Sequence, residues 1–139
     1  MSKKKVIGVI VIIGLLLIGC AVAFFMNRTT YTLNLPKADD LKSISLSNPN
    51  KEEEVTDIKE IEDMLYVLKE NGRTTKKESI NDSPVNTEEP IKVEFNFKKE
   101  GSSVVYIYED DGKYYLEQPY NGIYQISGDE YNDIAKYFQ

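Results

Sequence analysis

Twenty-one consecutive residues without a charge, Val6 to Met26, decide where the rest of this chain can sit. The stretch reads VIGVIVIIGLLLIGCAVAFFM, interrupted only by three isolated glycines. As a helix rising 1.5 Å per residue it would reach about 30 Å, the thickness of one hydrocarbon core. Its flanks are unequal, with Lys3, Lys4 and Lys5 before it and Arg28 after it. Positive charge beside an apolar segment is retained in the cytoplasm. The amino end is therefore expected inside and residues 27–139 outside, a single-pass protein of the cell membrane.

A second reading lies within the same run. Leu17-Ile18-Gly19-Cys20 has the form of a bacterial lipoprotein signal: a basic start, a short apolar core, then a small residue before a cysteine. Processing there would make Cys20 a lipidated first residue and remove the helix before it. Against cleavage, Ala21 to Met26 continue the apolar run, where a lipoprotein turns polar at once. A cleaved secretory peptide is the third option. The two leading readings deliver the same domain to the same side, anchored either by a helix or by lipid on Cys20.

Beyond residue 30 the chain holds thirteen basic residues against all twenty-three acidic ones, a formal charge of −10. Such a surface repels phosphate backbones, so nucleic acid is excluded as a partner, while cations and basic peptides would be attracted. Cys20 is the only cysteine, which rules out a disulfide framework. The division expected is 1–26 anchor or lipoprotein signal, 27–36 tether, and 37–139 one extracytoplasmic domain with a single core.

Periodicity supplies the elements of that domain. Leu41–Ser47 alternates Ile44 and Leu46 with serines, as a half-buried strand does, and Asn48-Pro49-Asn50 turns it. From about Asp57 to Asn71, Ile58, Ile61, Met64, Leu65 and Leu68 form a helical stripe, with Asp57 and Glu60 as a capping box and Gly72 as the stop. A short edge strand is expected at Thr74–Glu78, then a polar loop to Glu89. Ile91, Val93, Phe95 and Phe97 alternate with polar residues, and Glu100-Gly101 turns that strand. Val104–Tyr108 and Tyr114–Glu117 flank Asp111-Gly112, a dipeptide suited to a tight hairpin. Pro119 to Gly122 turns again into Ile123–Ile126. Ser127 and Glu130 cap a last helix with Tyr131, Ile134, Ala135 and Phe138 on one side. The fold class is α+β: an N-terminal transmembrane helix, then one antiparallel sheet packed with two amphipathic helices.

The residue inventory limits the chemistry. Histidine is absent, which removes the usual neutral-pH base and the commonest zinc ligand. The outer domain has no thiol, no phosphate loop and no dinucleotide fingerprint. Glu109-Asp110-Asp111 at a hairpin tip could bind calcium weakly, but it lacks the alternating oxygen ligands of a dedicated loop and reads as a solvated turn. No catalytic residue, metal or cofactor is expected, and the chain is read as no enzyme. Tyrosine is the remaining signal, for eight of the ten lie between Tyr106 and Tyr137. Tyrosine suits strand packing and exposed binding faces alike. Alternation points Tyr106 and Tyr108 away from Val105 and Ile107, so these two are the candidate partner surface.

The run LNLPKADDLKSISL, the helix after it, TTKKESIND and GKYYLEQPYNGIYQISGDEYNDIAKYF together resemble a domain family of unknown function in Gram-positive bacteria. The resemblance covers about residues 31–139 and is strongest in EQPYNGIY. Members occur as small anchored proteins, and similar domains trail membrane metallopeptidases of the β-lactam-sensor type. The resemblance implies an extracytoplasmic sensing or interaction role and lends no functional residues. The expected function is a membrane-anchored binding or sensory domain with a protein or peptide partner in the cell envelope. The alternative is a self-protection or inhibitor lipoprotein that occludes an extracellular toxin or hydrolase.

The fate of Cys20 separates the two anchors. With an uncleaved helix, Cys20→Ala leaves apparent mass and membrane retention unchanged. Labelling by a palmitate analogue that is lost in the variant would establish the lipoprotein instead.

Overall fold

The computed structural model of the protein describes residues 2–26, 31, 33–70, 76–85 and 87–138. The apolar stretch forms one continuous helix, α1 (Lys3–Met26). Its span Lys3–Phe25 has a mean hydropathy of 3.1 and no part of it is buried against the protein. By length and composition it fits a membrane anchor and a signal sequence equally. Of the expected tether 27–36, residues 27–30 and Thr32 lie outside the described residues, while Tyr31, Leu33 and Leu35 pack on the core, so the domain takes in apolar residues of that expected tether.

After a single 3-10 turn at Ala38–Asp40, β1 (Leu41–Asn48) and β2 (Lys51–Val55) form an antiparallel hairpin. The Asn48 side chain builds the turn, accepting from the backbone N–H groups of Asn50 and Lys51, both at 2.9 Å. β2 corrects the reading of Asn48-Pro49-Asn50 as a simple strand end. Its sequence KEEEV carries no alternation, because only Val55 reaches the core and the rest is an edge guarded by charge.

α2 (Ile58–Glu70) buries Ile61, Met64, Leu65 and Leu68, while Ile58 in its first turn stays largely exposed. Asp57 caps it, its carboxylate accepting from the N–H groups of Lys59 and Glu60 at 2.9 and 3.1 Å. Asn71, the Gly72 stop, and Thr74–Thr75 of the expected edge strand lie outside the described residues. What is described of that strand is β3 (Lys76–Lys77).

A meander follows: β4 (Ile91–Phe97), β5 (Ser102–Asp110), β6 (Lys113–Gln118) and β7 (Gly122–Ile126). The β5–β6 turn places both Asp111 and Gly112 at positive φ, 51° and 74°, as a two-residue hairpin requires. α3 (Gly128–Ala135) starts at Ser127, whose hydroxyl accepts from the Glu130 N–H at 3.1 Å, and a 3-10 turn Lys136–Phe138 ends it.

These strands make one antiparallel sheet in the order β2-β1-β4-β5-β6-β7-β3, six full strands and the two-residue β3. Ile44, Leu46, Val93, Phe95, Val105, Ile107, Leu116 and Tyr124 line one face and share a single core with α2 and with Ile134 of α3. The α+β class is thus as the periodicities imply, with α2 and α3 on the same face.

This topology imposes one further crossing. β3 sits at an edge beside β7, yet β4, next in the chain, sits beside β1. The connection, described over residues 78–85 and 87–90, must therefore pass over β7, β6 and β5. The helices occupy one face, so the connection crosses the other. It forms a strap over the back of the sheet.

Candidate functional site

Back-facing residues of β5 and β6 are Tyr106, Tyr108, Tyr115 and Glu117, since their neighbours Val105, Ile107 and Leu116 enter the core. The strap changes what that face is. Tyr108 is 7% exposed and Glu117 only 3%. Ser79, near the start of the strap, is buried with them and donates its hydroxyl to Glu117 Oε1 at 2.7 Å. The Tyr108 hydroxyl donates more weakly to Oε2 at 3.4 Å. A buried carboxylate loses several kcal/mol of hydration, so it persists only where donors replace the water. Hydrogen bonds to such a group are worth roughly 1.5–3 kcal/mol each, enough to hold the strap down.

Burial, and after it the adjacent Glu117 carboxylate, push the Tyr108 hydroxyl well above the ordinary tyrosine value. Its ring stacks on Tyr115, centroids 5.7 Å apart. Beside that pair is a recess of about 210 Å³ lined by Lys77, Val85, Tyr108, Asp110, Tyr115 and Ile123. A second recess, of about 400 Å³, shares Asp110 with it and is bordered by Thr87, Glu88, Glu89, Glu109, Asp111 and Tyr131. Burial, then Glu109, also raises the Tyr131 hydroxyl. The acidic tip thus lies between two recesses that carry tyrosines, and no described group of His, Cys, Asp or Glu is arranged to hold a metal.

The six tyrosines from Tyr106 to Tyr124 are divided among four places. Tyr114 and Tyr124 face the helices, Tyr114 against Tyr131 with centroids 4.7 Å apart. Tyr108 and Tyr115 form the recess. Tyr106 is half-buried, in register with Lys92 and Glu117. Tyr120 stands in the β6–β7 turn. The candidate surface of Tyr106 and Tyr108 needs one correction: Tyr108 does point away from the main core, but the strap covers it. Alternation gives the direction of a side chain and says nothing of a loop laid over it.

Glu117 and Ser79 carry no sequence signal of their own. Glu117 occupies a polar slot in an alternating strand, where a wet face is the ordinary expectation. Its neighbours in EQPYNGIY are clamps as well. Gln118 Nε2 donates to the backbone oxygen of Asn34 at 3.1 Å, and the Asn121 amide side chain donates to Gln118. The Tyr120 hydroxyl donates to Asp82 Oδ1 at 2.6 Å, tying the turn to the strap. Tyr120 itself has φ 60°, a left-handed conformation that costs a non-glycine residue roughly 1–2 kcal/mol.

Residues 29–125 match the family DUF5301, described as a domain of unknown function (DUF5300). An NMR structure of a protein from Ruminococcus gnavus is similar at 33% identity and a TM-score of 0.60, over 72% of this chain and 99% of that one. No curated protein sequence matches. Neither likeness points to a catalytic family.

Truncation tests the placement of the tyrosines. Tyr108→Ala should lower unfolding free energy by about 3–5 kcal/mol and Tyr106→Ala by about 1 kcal/mol, measured by denaturant titration. Equal small effects would put Tyr108 back on an open face. The raised Tyr108 pKa contributes stability that is whole below the ordinary value of 10.0 and lost as pH rises through the folded value. Tyr108→Phe should therefore reduce the alkaline loss of stability.

Proposed function

We propose, on the premise that this chain belongs to the DUF5301 family, that it is an extracytoplasmic binding or sensory domain held at the cell membrane by α1. The carrying observation is the recess between Tyr108, Tyr115, Val85 and Ile123, with Asp110 in its lining and further carboxylates around the same tip. Aromatic walls take apolar stems, and ring faces with nearby carboxylates take cations. The fitting partner is a peptide or protein segment of the envelope that bears lysine or arginine beside an apolar residue. Lys3 to Lys5 retain the amino end in the cytoplasm and put the cleft outside, as a helix anchor or a lipid on Cys20 would alike. The resemblance to domains trailing β-lactam-sensor metallopeptidases in Gram-positive bacteria supports the same placement. In this reading the chain recognises and performs no reaction.

A photoreactive phenylalanine analogue at Ile123, in cells also probed by protease on intact protoplasts, tests it. Crosslinks to a basic envelope segment are expected at Ile123 and not at Glu52, with residues 27–139 open to the protease. Equal crosslinking at both positions, or a protected domain, would contradict the reading.

A further inference from the structure

The two ends of the sheet differ chemically. One end carries the tether, the β4–β5 turn and the β6–β7 turn, because Leu41 pairs with Phe97 and Gln118 with Gly122. The other carries the β5–β6 tip, where Asp110 pairs with Lys113. Around that tip stand Glu88, Glu89, Glu109, Asp110 and Asp111. At the tether end, Lys37, Lys98 and Lys99 stand against Asp39, Asp40, Glu100 and the Asp82 that binds Tyr120, an excess of one negative charge. The strongly acidic end is therefore the one remote from the tether.

The tether end also carries exposed apolar side chains. Tyr120 is 67% exposed and Ile80 68%. Ile80 lies between Ser79, bonded to Glu117, and Asp82, bonded to Tyr120, which places it beside the turn. Asn121 N–H donates to the Gln118 oxygen at 3.0 Å, and Tyr120 occupies the left-handed corner of that turn. Glycine or asparagine is the usual occupant there. The Tyr120 hydroxyl serves the fold by holding Asp82, but most of the ring stands outward in a conformation it disfavours and is open to contact.

Chain length adds proximity. Gln118 holds Asn34, and α1 ends at Met26. Tyr31 already packs against Tyr124 in the core, so the link from Asn27 to Tyr31 is five residues and reaches at most about 18 Å. The domain is thus held within that reach of the end of α1, and Gln118, next to the Tyr120 turn, grips the entering chain at Asn34.

We propose that the tether end of the domain seats on the lipid headgroup layer, with Tyr120 and Ile80 as the interfacial side chains. Tyrosine suits that depth, its ring meeting the acyl boundary while its hydroxyl remains hydrated. Asp82 fixes the hydroxyl and hence the pose of the ring. This end is far less acidic than the tip, so it is the one that can approach anionic lipid, while the tip is repelled outward. The cleft then faces away from the membrane. This inference rests on α1 spanning the bilayer, as read above.

The test uses the full chain in vesicles of mixed phosphatidylcholine and phosphatidylglycerol, in a Cys20→Ala background. Nitroxide labels are placed singly at Leu15→Cys, Lys99→Cys and Lys113→Cys. Accessibility to oxygen against a water-soluble nickel complex reports the depth of each. The Leu15 label is expected in hydrocarbon, the Lys99 label at headgroup depth and the Lys113 label in water. Tyr120→Gly with Ile80→Ser should move the Lys99 label into water. A Lys99 label as wet as the Lys113 label, or one unmoved by the double variant, overturns the seating while leaving the anchor standing. A wet Leu15 label removes the anchor and the seating together.

Discussion

A chain that leaves one edge of a sheet and re-enters beside its far hairpin must cross a face. That crossing governs most of what is distinctive here. α2 and α3 fill one side, so the strap closes the other, and a back surface that would have been wet becomes a second interior over β5 and β6. This interior is small and contains a carboxylate. Glu117 is held there by Ser79 from the strap and Tyr108 from the neighbouring strand. The recess beside Tyr108 and Tyr115 exists because the strap stops short of sealing that surface.

The same crossing connects the two ends of the domain. The strap begins beside the β6–β7 turn, where Asp82 meets Tyr120, and finishes near the acidic tip, where Glu88 and Glu89 approach Asp110. One segment thus borders both the tether end and the cleft.

The sequence made some parts of this legible and hid others for definite reasons. β1, β4 and the β5–β6 hairpin follow from alternation because one side of each meets the core. Asp57 and Ser127 announce their helices because the caps are local. β2 escapes notice because a charged edge strand buries only Val55, leaving no period to read. Tyr108, Ser79 and Glu117 escape because their burial depends on a contact between residues 38 positions apart in sequence, made by a loop without periodicity. The tyrosine-rich segment was visible as composition, but its division among core, recess and turn required the register. EQPYNGIY stood out as a resemblance, and the structure gives it physical content: it clamps the tether, the strap and the core in succession.

The strap's attachment through a buried carboxylate is the central claim, and a double-mutant cycle between Ser79→Ala and Glu117→Leu measures it most directly. If the two side chains hold each other, each single change is destabilising and the pair is non-additive by about 1 kcal/mol or more. Effects that add to within roughly 0.5 kcal/mol would show that the residues act independently. The strap would then be held by something other than Glu117.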